Sequence, residues 1–308
     1  MSRSSERLAA GEVLILDGGI STELQRRGVP MDGMAWSAAA LVTHPDHVRE
    51  VHVDYVRAGA DIITTNSFST ARYILAQAGL GDLTAELTRS SVLLAKEALQ
   101  ITEPPRDVLI AGAMSSWPPG DDCERLPSPE EIDVAYTEQA EILAASGVDI
   151  LLLEMVDHFG YTRAALTAAA RTGLPVWLGL GCEVNAEEGA VTLHDTQRAL
   201  EEEILSLAGL GFSLISVMHT KPEDVGPALA AVSESWEGPK GAYAHSGGWA
   251  MPNWLWEDII SPEAYLGYAR EWIASGTQVV GGCCGLGPDH IRLLRNMLPR
   301  HTPRKHIC

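Results

Sequence analysis

The chain has 308 residues, 46% of them hydrophobic and 20% charged, which allows a sizeable core and matches the size of one large α/β barrel. A formal charge of −19 sets it against nucleic acid and anionic membranes as main partners. No apolar stretch approaches the ~20 residues that span a bilayer, no signal peptide opens the chain, and five cysteines are too few and odd in number for a disulfide framework, so the expectation is a soluble cytoplasmic protein.

Short apolar, β-branched runs alternate with longer helical ones. The expected strands are Val13–Leu16, Asp61–Thr65, Val108–Ala113, Asp149–Glu154, Val176–Gly181, Leu214–Met218, Gly241–Ala244 and Thr277–Gly281. Helical periodicity fills the intervals at Pro45–Ala58, Thr84–Leu99, Glu130–Ser146, Tyr161–Thr172, Thr196–Leu207, Pro222–Val232 and Ser261–Ser275. Alternating β and α elements imply a parallel sheet, and eight evenly spaced strands favour a single (β/α)8 TIM barrel. Gly59, Gly147 and Gly276 each stand just before a strand, where a helix C-terminus turns back. No domain boundary is visible, so residues 1–308 read as one barrel domain with a short N-terminal tail 1–10 and a C-terminal tail 299–308. The stretch Trp117–Cys123 reads as an exposed loop, and His245–Pro262 as a long loop after the seventh strand.

Cys283 and Cys284 sit side by side among Gly281, Gly282 and Gly285. A disulfide between sequence neighbours is strained. A soft metal explains the pair better, since thiolates bind Zn²⁺ and the glycines let both sulfurs face one ion. Cys182, at the end of the fifth strand, is a rival further ligand whose ordinary reading is a buried thiol. Trp36, Trp117, Trp249, Trp254 and Trp256 fall on expected loops, where their faces suit a methylated cation or simply pack. Asp157 and His158 follow the fourth strand as further site or surface residues.

Several segments carry a family resemblance. They are Asp17-Gly18-Gly19-Ile20-Ser21-Thr22-Glu23-Leu24, Trp36-Ser37, His52-Val53-Asp54-Tyr55, Ala58-Gly59-Ala60-Asp61 running on to Asn66-Ser67, Leu153-Glu154-Met155, Tyr243, Ser246-Gly247 and Gly281-Gly282-Cys283-Cys284. In this order, from Asp17 to about Leu298, the chain resembles the homocysteine S-methyltransferase family, which includes betaine–homocysteine and S-methylmethionine–homocysteine enzymes.

The resemblance implies a TIM barrel with Zn²⁺ held by three cysteines, which binds the thiol of homocysteine. Cys283 and Cys284 match two of the ligands. The third, which ends a Gly-Val-Asn-Cys segment in the family, falls on His219, itself a competent zinc ligand. By the same match Asp17 and Glu154 hold the amino group of the acceptor, a turn-capping carboxylate before Gly18-Gly19 being the other reading of Asp17, and Tyr243 and His245 line the substrate's seat; by position, Asn66 after the second strand orients substrate and Glu23 caps or supports the first loop. The implied reaction moves a methyl group from a sulfonium or quaternary ammonium donor to homocysteine or a related thiol, as in methionine biosynthesis. The partners are therefore a small thiol acceptor and a methyl donor. A homo-oligomer is left open. His219, His245 and Gly285-Leu286 depart from the family pattern, and an altered Cys₂His site leaves as alternative a zinc-dependent demethylase or hydrolase.

Overall fold

The computed structural model describes residues 2–116, 126–156, 159–185, 189–194 and 198–302. The Trp117–Cys123 loop, Asp157, His158 and Cys308 lie outside the described residues.

Eleven strands are described: β1 (Leu14–Ile15), β2 (Ile62–Thr64), β3 (Leu109–Ser115), β4 (Ile150–Glu154), β5 (Val176–Val184), β6 (Val191–Leu193), β7 (Phe212–Met218), β8 (Lys240–Tyr243), β9 (Gly248–Ala250), β10 (Asn253–Leu255) and β11 (Val279–Val280). Eight of them run parallel in the order β1-β11-β8-β7-β5-β4-β3-β2. The ring closes where Leu16 bridges Ile62, with the Asp61 amide donating to the Ile15 carbonyl at 2.7 Å and the Asp17 amide to the Ile62 carbonyl at 3.0 Å. These are the eight strands read from the sequence, with ends shifted by a few residues. Helices ring the barrel, several starting on Pro, two of them after a capping Ser at Ser128-Pro129 and Ser261-Pro262.

Alternation sorts the side chains of each strand. On β4, Ile150 and Leu152 fill the barrel interior while Leu151 and Leu153 face the helices. A continuous apolar run is what a strand covered on both sides requires. On β5, Trp177 fills the interior, whereas Val176, Leu178, Leu180 and Cys182 pack against the helices.

Residues 2–10 hold regular structure. Ser2 caps a helix over Arg3–Ala9, and its Leu8 joins Leu14, Ile62, Ile150 and Val279 in the interior cluster. The Gln278 side chain donates to the Leu8 carbonyl at 2.8 Å, so this helix seals the end of the barrel opposite the strand C-termini. The region after the seventh barrel strand also holds regular structure: β9 and β10 form an antiparallel hairpin that pairs Trp249 with Trp254.

Candidate metal centre and active-site cavity

Cys283 and Cys284 follow β11 and sit at the C-terminal mouth of the barrel. The Cys283 amide donates to the Ala244 carbonyl at 2.8 Å and the Gly282 amide to the Asp17 carbonyl at 2.9 Å, so the pair is pinned between β8 and β1. Only glycine fits at 281, where a Cβ would stand 2.6 Å from the Cβ of Leu16. The two sulfurs are 4.0 Å apart, as unbonded thiols.

His219 directly follows β7 with a left-handed φ of 44°, and its ring faces the pair. Its Nδ1 lies 3.5 Å from Cys283 Sγ. One ligand atom from each of His219, Cys283 and Cys284 falls within 4.8 Å of the others, and among the described residues no other group of three possible ligands does so. Burial, with His245 and His194 nearby, holds the His219 ring well below its ordinary proton affinity, which favours the neutral ring that can ligate a metal. The neighbouring Cys284 thiol, and then burial, push the Cys283 thiol up. Two thiols and an imidazole facing one point form a borderline-soft donor set that suits Zn²⁺, and a bound cation would reverse the upward shift of Cys283. Cys182 cannot join them. Strand parity turns it toward the helices, its amide pairs with Thr220 Oγ1 at 2.9 Å, and burial pushes its thiol up to about 12.

The mouth also holds two carboxylates. Asp17 follows β1, is 1% exposed, and accepts from the Thr64 amide at 2.8 Å and the Thr64 hydroxyl at 3.1 Å. Burial nonetheless raises its proton affinity well above the usual carboxylate range, and the charge of Glu154 adds to the rise. Glu154 ends β4 and is pushed up to about 7 by burial, with the Tyr243 hydroxyl pulling the other way. That hydroxyl is buried and meets hydrogen-bond geometry with no described atom. Two desolvated carboxylates beside a buried hydroxyl make a seat suited to a cation.

Asn66 lines the same cavity with its amide engaged. Its Oδ1 accepts from the Ser37 hydroxyl at 2.8 Å and its Nδ2 donates to the Ser37 carbonyl at 2.9 Å, tying the Trp36–Ser37 loop to β2. His245 places its ring 4.4 Å from that of His219. Burial lowers it to about 4. Glu23 lies outside the cavity and pairs with Arg26 and Arg27, each at 3.3 Å.

The cavity holds about 490 Å³ and joins the sulfur–imidazole cluster to the carboxylates. Four of its features escape sequence reading. Thr64 holds Asp17; His194, beyond β6, brings its ring 5.8 Å from His219; Phe68 stands edge-on to Trp36; and Gln25 grips the β9–β10 hairpin. The alternation in Val191-Thr192-Leu193 was the one available signal for β6.

Comparison with known proteins identifies the family. Residues 14–298 match the sequence profile of the homocysteine S-methyltransferases. The metallated form of the homocysteine methyltransferase MmuM from Escherichia coli superposes with a TM-score of 0.75 at 27% identity, over 96% of this chain and 98% of that one. Homocysteine S-methyltransferase 3 of Zea mays is 25% identical over 94% of this chain and 91% of its own. Betaine–homocysteine S-methyltransferase 1 of Danio rerio is 26% identical over 95% of this chain and 74% of its own.

Proposed function

The chain belongs to the homocysteine S-methyltransferase family, and from that premise we propose that it is a methyltransferase carrying a methyl group from a sulfonium or quaternary ammonium donor to homocysteine or a related thiol. One observation carries the reading: the His219–Cys283–Cys284 cluster and the Asp17–Glu154 pair face a single cavity. That arrangement suits a small molecule with a thiol at one end and an ammonium at the other.

His219, Cys283 and Cys284 would hold Zn²⁺, whose chemistry there is to lower the proton affinity of a substrate thiol and leave its sulfur nucleophilic near neutral pH. Asp17 and Glu154 would receive the acceptor's ammonium, and that charge offsets the desolvation that raises their proton affinity. Thr64 fixes Asp17 by two hydrogen bonds, so the carboxylate is oriented before substrate arrives. The Tyr243 hydroxyl, close enough to Glu154 to pull its proton affinity down, can donate to that carboxylate or to the substrate. In the transfer the bond from methyl carbon to donor sulfur or nitrogen breaks as the bond to acceptor sulfur forms. The donor atom keeps the electron pair and leaves neutral, so no general acid is needed. The chain's task is to hold the two substrates in line and away from water.

The test is methionine formation by zinc-loaded protein given homocysteine with S-methylmethionine, S-adenosylmethionine or betaine. Product with any one donor supports the proposal. No product with all three overturns homocysteine as the acceptor.

A further inference from the structure

The aromatic rings at the mouth form a continuous wall. Trp254 is 3% exposed and lies 5.8 Å from the His219 ring. Trp249 follows at 6.4 Å from Trp254, Trp36 at 5.3 Å from Trp249, and Phe68 at 5.9 Å from Trp36. Trp36 and Trp249 stand at 80° to each other and both line the cavity, so they close two sides of one corner. This corner is one ring removed from the proposed metal ligand His219.

Both walls of the corner are anchored. Trp36 is held by the Asn66–Ser37 clamp and by its carbonyl, which accepts from the Asp32 amide at 3.1 Å. Trp249 is carried opposite Trp254 in the β9–β10 register. Trp254 in turn donates its indole N–H to the Ser246 carbonyl at 3.0 Å and exchanges two backbone hydrogen bonds with the Gln25 amide, at 2.8 and 2.9 Å. A hairpin tied to the barrel by its buried tryptophan presents the other tryptophan, 43% exposed, at the opening. Packing alone does not require a large ring there.

Charge points the same way. The cavity holds Asp17 and Glu154, and none of the described residues lining it is Lys or Arg. Perpendicular aromatic faces in a cation-poor, carboxylate-bearing pocket attract a methylated cation through the ring quadrupole.

We propose that Trp249 is a specificity-determining residue that, with Trp36, reads the positive charge of the methyl donor at the cavity mouth. The inference rests on the function proposed above and assigns the donor's seat within it. The donor's onium centre lies in the Trp36–Trp249 corner, with a methyl group directed inward past Trp254 toward the acceptor sulfur.

The test uses two pairs of probes that differ only in the charge of the methylated centre. Betaine is compared with 3,3-dimethylbutanoate, and S-methylmethionine with 2-amino-5-methylhexanoate. Dissociation constants are measured by calorimetry on the full zinc-loaded chain without acceptor thiol, so that no turnover intervenes. In at least one pair the charged probe should bind about fivefold more tightly than its neutral partner, the scale of one cation–π contact. Trp249→Leu should erase that preference and Trp249→Phe should keep most of it. A preference unchanged in Trp249→Leu overturns the proposal, as does a native chain that distinguishes neither pair. If charge discrimination depends on Trp249 while no donor yields methionine, the donor seat stands and the reaction proposed above falls.

Discussion

A Cβ placed on Gly285 would lie 1.9 Å from the carbonyl oxygen of Ser246. That oxygen also receives the Trp254 indole, and the Ser246 amide donates to the Cys284 carbonyl at 3.0 Å. The residue after the cysteine pair and the segment after β8 are therefore sterically coupled: the base of the hairpin occupies the space that a side chain at 285 would need. Gly285 also has a φ of 82°. Gly285→Ala should lower unfolding stability by about 2 kcal/mol or more, from the left-handed backbone and the displaced Ser246 together. Chemical denaturation of native and variant protein measures it, and an unchanged midpoint would show that the segment yields freely.

His52 is fully buried on the Pro45–Ala58 helix, with neither ring nitrogen hydrogen-bonded to a described atom. Burial lowers it from 6.5 to about 4. The unfolded chain thus binds a proton at this site between those values while the folded chain does not. Stability is intact above about 6.5 and is lost as pH falls toward 4. His52→Leu should be nearly neutral at pH 7 and stabilising relative to the native chain at pH 5. Denaturation midpoints at the two pH values decide the matter, and a parallel loss in both proteins would remove His52 from the acid response.

Glu154, pushed up to about 7 by burial, holds a proton below that pH in the empty cavity. An ammonium needs the carboxylate, so each pH unit below about 7 should raise the KM for homocysteine roughly tenfold, as binding must first release that proton. Glu154→Gln should raise the KM at neutral pH by about tenfold or more and flatten its pH profile, with the donor KM little changed. A profile that keeps its slope in the variant would assign the titration to another group.

Much of this was legible in the sequence because barrel strands are short, apolar and regularly spaced, and because Gly59, Gly147 and Gly276 take the left-handed conformations their pre-strand positions suggest, at φ of 109°, 79° and 98°. The cysteine pair declared itself through its glycines. What could not be read depends on the third dimension. The side chain of Cys182 is excluded from the metal cluster by strand parity, a matter of one residue of register. The N-terminal segment looked like a tail because its seven-residue helix is too short to show periodicity and is fixed by Leu8 entering the barrel. The β9–β10 hairpin was hidden by Gly, Pro and Trp, which read as a loop until Gln25 is seen gripping Trp254 from 229 residues away.

The central claim is that an imidazole replaces a thiolate in the metal centre. Zinc-edge X-ray absorption on carefully prepared protein tests it most directly. The account predicts about one zinc per chain with two sulfurs near 2.3 Å, a nitrogen near 2.0–2.1 Å and the outer-shell scattering of an imidazole ring, the last absent in His219→Ala, with metal itself lost in Cys283→Ser and Cys284→Ser. A centre that shows no imidazole scattering, or a protein that binds no zinc with both thiols intact, would contradict it.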